Sequence, residues 1–159
     1  AEKGSLEECI KVAEGAIESG AAFDKFRELV KFQGGDVSVI DDPSLFAKAP
    51  YQKEIKAEQA GWITQIDSEQ CGLASVTLGA GRQTLEDEID FSAGIILKKK
   101  VGEQVAKGDV LAKIHTSDQN AIERAEEMIK EALHISSQAP QKLPLIYARV
   151  TSEGVEKLE

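Results

Sequence analysis

The residues best suited to chemistry in this sequence are Gly79-Ala80-Gly81-Arg82. Two glycines can turn backbone N–H groups toward an anion, and an arginine binds oxyanions in bidentate fashion. The stretch is incomplete as a phosphate loop, because Gln83 and Thr84 stand where a further glycine or a phosphate-binding lysine would be needed. The plainer reading is a glycine helix cap whose Arg82 pairs with Glu86, Asp87 or Asp90. Those acids, with Glu88, could attract a cation, but no histidine or second carboxylate group lies close by in sequence, so a solvated loop is expected. Lys98-Lys99-Lys100 has no interleaved aromatics and reads as a solvated shoulder. His115 and His134 are isolated, and Cys9 and Cys71 have no metal-type spacing, so structural roles are expected for all four. Cys9, among apolar neighbours in a helical pattern, is expected to be a buried, inert thiol. No arrangement of serine, histidine and acid is readable. Taken alone, these residues form no active site.

The elements that would position them belong to a globular protein. The 159 residues are 42% hydrophobic and 30% charged, with a formal net charge of −9. That acidity argues against general binding of nucleic acid or of anionic membranes. The longest strongly apolar run, Ala93 to Leu97, is far too short to span a membrane. Two cysteines without a disulfide pattern suit a reducing, cytoplasmic setting. Met128 is the only methionine, so Ala1 is expected either to follow methionine removal or to begin a piece of a longer polypeptide.

Along the chain, Ser5-Leu6-Glu7-Glu8 has the form of a capping box. It opens a helix with Leu6, Cys9, Ile10, Ala13, Ala16 and Ile17 at helical spacing, which Gly20 stops. A second helix, Ala22 to Phe32, carries Phe23, Phe26, Leu29 and Val30 on one side. Residues 33–36 break it, and 37–50 form a connector with a turn at Asp41-Asp42-Pro43. The apolar faces of the two helices, Ile10, Ile17, Phe23 and Phe26 among them, require a partner. From residue 51 the pattern predicts strands Tyr51–Ala57 and Trp62–Ile66 joined tightly at Ala60-Gly61. A short helix within 68–78, ending at Gly79, and a strand centred on Gly94–Leu97 come next. A strand to His115 is followed by a helix capped by Ser117 or Asp118 and running through Ile122, Ala125, Ile129 and Leu133. Leu145–Val150 is expected as a last strand and Thr151–Glu159 as a loose polar tail.

Residues 101–111 have a logic of their own. Gly102 and Gly108 permit tight turns on either side of a very short strand, with Val101, Val105 and Leu111 expected to face inward. Biotinyl and lipoyl carrier domains use a similar hammerhead turn, which makes a freestanding binding module the alternative reading. Carriers need a lysine at an exposed hairpin tip. Here Lys113 alternates within a strand and is expected to point to solvent, so the carrier function does not follow.

The combination is more specific than its parts. Gln33-Gly34-Gly35-Asp36 precedes Asp41-Asp42-Pro43. Leu78-Gly79-Ala80-Gly81-Arg82 with Thr84, Ile89 and Asp90 comes next, then Gly94-Ile95, Val101-Gly102 to Gly108, and Ile114-His115. From about Ser5 to Val150 this order resembles the C-terminal part of pyrimidine-nucleoside and thymidine phosphorylases. The resemblance implies an α+β fold: two helices left over from a large α/β domain (1–49), a C-terminal hammerhead domain with a mainly antiparallel sheet (50–150), and a tail (151–159). It also implies a homodimeric, cytoplasmic parent enzyme that cleaves a pyrimidine nucleoside with inorganic phosphate as co-substrate. No cofactor, metal, nucleic acid or membrane is implied. The family's catalytic and phosphate-binding motifs lie upstream of the matching region, so no catalytic residue is expected in this chain. The candidates it does carry are a closure loop of Gly79, Gly81, Arg82, Asp87 and Asp90.

Overall fold

The computed structural model describes residues 4–144 and 146–157. Ala1, Leu145 of the expected last strand, and Leu158 and Glu159 of the expected tail lie outside the described residues. The chain divides into two compact units, Ala1–Ala47 and Lys48–Glu159.

The first unit is helical. Helix α1 (Leu6–Glu18) starts at the expected capping box: Ser5 Oγ accepts from the Glu8 N–H at 3.3 Å, and the Glu8 carboxylate accepts from the Ser5 N–H at 2.7 Å. Gly20, at φ 79°, makes the left-handed turn into α2 (Ala21–Phe32). A short α3 (Ser38–Asp41) and a 3-10 turn at Pro43–Leu45 complete the unit, with Arg27 paired to Asp41 at 2.9 Å. Neither α1 nor α2 buries a single residue, and Ile10, Phe23 and Phe26 stand about half exposed.

The second unit is built on antiparallel sheets. Strands β1 (Tyr51–Lys56), β2 (Gly61–Ile66), β3 (Gly94–Leu97), β4 (Gln104–Val105), β5 (Val110–Thr116) and β6 (Leu133–Ser136) form two three-stranded sheets, ordered β1-β5-β3 and β4-β2-β6. Helices α4 (Ser68–Ser75) and α5 (Ala121–Ala132) pack with them. Ile55 and Ile114 from the first sheet, Ile63, Val105 and Leu133 from the second sheet, and Ala125 and Ile129 from α5 share one buried cluster with Leu78. Strands β7 (Ala148–Thr151) and β8 (Gly154–Lys157) form a separate hairpin. The fold is α+β.

Several expectations change. The predicted hairpin of β1 and β2 does not form: the two strands belong to different sheets, because the residues between them bond elsewhere. The Ala57 N–H donates to the Asp109 carbonyl at 2.8 Å, and the Ala57 carbonyl accepts from the Gly108 N–H at 2.8 Å. Gly61 serves close approach as well as turning, since a Cβ there would lie 2.5 Å from the Ser136 carbonyl oxygen. Val105 and Leu111 face inward as expected, whereas Val101 is half exposed. Helix α5 ends at Ala132, and Leu133 adopts extended angles to open β6, a strand that helical spacing had absorbed. The residue before α5 is Asn120, without a side-chain cap, while the Asp118 carboxylate accepts from the Asn120 N–H one step earlier. The last stretch pairs at Ala148–Thr151 with Gly154–Lys157, so part of the tail expected to be loose is a strand. Lys113 lies mid-strand between Glu54 and Ile96 and is only partly exposed.

Candidate functional site

The loop from Gly79 to Asp90 is shaped by hydrogen bonds at its neck. Beyond α4 the helix widens into a last turn, Val76–Ala80, in which Gly79 sits at φ 102°, a conformation that favours glycine. Gly81 is required for a different reason. Its backbone is extended, but a Cβ there would come within 2.8 Å of the Val76 side chain. The neck closes where the Asp90 N–H donates to the Gly79 carbonyl at 2.9 Å.

Asp90 then ties the neck to the sheet. One carboxylate oxygen accepts from the Ser92 N–H at 2.9 Å and the Ser92 hydroxyl at 2.6 Å, and the other accepts from the Ser117 N–H at 3.2 Å. These bonds, chiefly those from Ser92, bring its carboxyl down from 3.8 to about 2. Next to it Thr116 is fully buried, and its hydroxyl donates to the Leu78 carbonyl at 2.7 Å and accepts from the Asp118 N–H at 3.0 Å. One polar network thus joins the end of α4, the loop neck, the end of β5 and the approach to α5.

The apex is organised by Asp87. Its carboxylate accepts from the Thr84 N–H at 3.0 Å, the Thr84 hydroxyl at 2.8 Å and the Gln83 N–H at 2.8 Å. Those bonds, Thr84's first, hold it below the usual carboxylate range, with a smaller pull from Arg82. Arg82 itself is exposed, and among the described residues no carboxylate lies within ion-pair distance of it. Leu85 and Phe91 are 89% and 93% exposed. Of the five closure-loop candidates, Gly79, Gly81 and Asp90 form the neck, Asp87 braces the apex, and Arg82 faces solvent.

Ser92 and Thr116 were not singled out from the sequence, and Ser117 was expected only as a possible helix cap. The Asp90-x-Ser92 spacing, which suits a local side-chain-to-backbone turn, is the signal that could have found Ser92. Thr116 and Ser117 lie 26 and 27 positions from Asp90 and carry no local signal. The other candidates stay separate. Glu86 and Glu88 are exposed, and the described residues contain no cluster of three or more ligating side chains. His115, whose Nε2 is buried without a partner among the described residues, is held below its ordinary pKa by burial and by Lys113. Cys9 and Cys71 are free thiols and half-buried, and burial pushes the Cys71 thiol up.

The arrangement consists of two carboxylates, Asp87 and Asp90, each gathering backbone N–H groups and a hydroxyl. What it can do is hold an arginine-bearing loop on a hydrogen-bonded neck. The family model for the pyrimidine nucleoside phosphorylase C-terminal domain matches residues 62–136, from β2 through β6 with the whole loop between them. A pyrimidine-nucleoside phosphorylase of Staphylococcus haemolyticus is 44% identical over 135 residues, covering 85% of this chain and 31% of the relative. Those of Staphylococcus aureus are 43% identical over 136 residues, 84% of this chain and 31% of each relative. The chain therefore spans about a third of the length of these relatives. Residues 62–136, which hold the loop, its neck and most of the buried core, therefore belong to the pyrimidine nucleoside phosphorylase C-terminal domain family.

Proposed function

We propose that the chain is the C-terminal portion of a pyrimidine-nucleoside phosphorylase, a pentosyltransferase of nucleoside salvage. The whole enzyme would convert a pyrimidine nucleoside and inorganic phosphate into the free base and (deoxy)ribose 1-phosphate. The observation that carries this reading is the 43–44% identity to enzymes of that name, sustained over 84–85% of the chain. Breaking the glycosidic bond requires phosphate held under the sugar and stabilisation of the departing base anion. The groups for both tasks are assigned to the upstream two thirds, along with the homodimer contacts. The 159 residues are assigned no catalytic group, no cofactor and no metal, and the setting is cytoplasmic. Residues 50–150 would form the hammerhead domain, and α1 and α2 would be helices of the large α/β domain, their apolar faces covered by it.

The role assigned to this chain is closure. Excluding water from a cleft between two domains needs a segment whose contacts can change cheaply. Arg82, exposed and without an ion pair among the described residues, is the residue free to exchange solvent for contacts across the cleft, while Gly79, Gly81 and Asp90 keep the neck fixed. The test is phosphate-dependent release of uracil or thymine by the full-length polypeptide. Release is expected with uridine, thymidine or both, and its absence would remove the reading. A bound partner without turnover would instead indicate a freestanding binding module.

A further inference from the structure

The hairpin of β7 and β8 lies beyond residues 62–136, and its two faces differ. Val150 and Val155 are register partners, with Ala148 opposite Lys157 on the same side. Arg149 opposite Glu156 occupies the other side, a pair of opposite charges suited to water. The valines are 74% and 67% exposed, and Ile146 and Tyr147 just before them are each 60% exposed. Among the described residues β7 and β8 pair only with each other. A two-stranded ribbon is marginal in water unless one face packs on something.

Resting on the proposed function, we infer that Ala148–Lys157 docks by its Val150/Val155 face on the upstream polypeptide, strapping the C-terminal domain back onto the part of the enzyme that precedes it. The relatives are about three times as long as the region they share with this chain, and the matching domain is the C-terminal one, so the remaining length precedes it. The size of the ribbon favours that occupant over a second copy. A stable interface between separate chains takes about 800 Å² per partner, contributed by roughly 20–30 residues. Two four-residue strands fall well short of that. A partner in the same polypeptide does not require it, because the contact is intramolecular and avoids the association cost.

Hydrogen exchange followed by peptide mass spectrometry, on the full-length polypeptide and on the 159-residue chain, tests this. Peptides covering residues 148–157 are expected to exchange at least about tenfold more slowly in the full-length protein. Val150→Asp in the full-length protein should return them to the rate of the shorter chain while leaving α5 peptides unchanged. Equal exchange in the two proteins overturns the strap, as does slow exchange that survives Val150→Asp. Slowing in the 159-residue chain that grows with its concentration also overturns it, in favour of a second copy. These outcomes are separate from the enzyme reading, which stands or falls on base release.

Discussion

Helices α2 and α5 are both 12 residues long and both amphipathic, yet they end in opposite situations. Helix α5 buries Ala121, Ala125, Ile129 and Ala132, and its Glu126 pairs with Lys53 of β1 and with Lys130. Helix α2 buries nothing, and Phe32 at its end is 90% exposed. An apolar stripe in a sequence therefore records that a partner is required, not that the same chain supplies it. The helix with its partner present lies inside residues 62–136, and the one without lies outside them.

Core truncation should give the largest effect. Ile129→Ala is expected to cost about 3 kcal/mol of stability, since the side chain is fully enclosed. Phe26→Ala should shift the unfolding of the 159-residue chain by no more than about 0.5 kcal/mol, as for a surface residue. Urea denaturation followed by circular dichroism reads both. In the full-length protein Phe26→Ala should approach the cost of Ile129→Ala; a negligible cost there would break the comparison.

A smaller effect is expected inside the polar network. Thr116→Val keeps the shape but leaves the Leu78 carbonyl and the Asp118 N–H without their partner, a loss of about 2 kcal/mol. An unchanged urea midpoint would mean that water replaces the hydroxyl.

Much of this molecule was legible in its sequence, and the failures share a physical cause. The capping box of α1, the stop at Gly20 and the short strand between Gly102 and Gly108 are local features, set by residues within a few positions of one another. The partners of β1 and β2 were not legible. Strand alternation shows which face is apolar but not which strand lies alongside, and the deciding bonds of Ala57 go to Gly108 and Asp109. Leu133 continued the helical spacing of α5, yet opposite Ile66 it serves as a strand residue. At the loop, the sequence showed acids and glycines but not their division of labour. Asp90 could be sorted from Asp87 only once Ser117, from the end of β5, was seen to reach it.

Acid should sharpen the contrast between neck and apex. Asp90 titrates near 3.8 when unfolded and at about 2 when folded, so its contribution is complete above the higher value and is lost as pH falls toward the lower. Between pH 5 and pH 2 the unmodified chain should therefore lose stability that an Asp90→Asn variant, already lacking it, does not lose. Parallel urea midpoints for the two proteins across that range would contradict the assigned clamp.

The smallest structural effect is expected at Arg82. Because it is exposed and unpaired among the described residues, Arg82→Ala should change stability by less than about 1 kcal/mol, while lowering the turnover proposed for the full-length polypeptide. A loss of several kcal/mol with normal turnover of the folded fraction would make the arginine structural.

The most direct test of the account is a phosphorolysis assay run side by side on the full-length polypeptide and on the isolated 159-residue chain, with uridine and thymidine, with and without phosphate. Phosphate-dependent base release is expected from the full-length protein and none from the isolated chain, to which no phosphate- or base-binding group is assigned. Turnover by the 159 residues alone would contradict it.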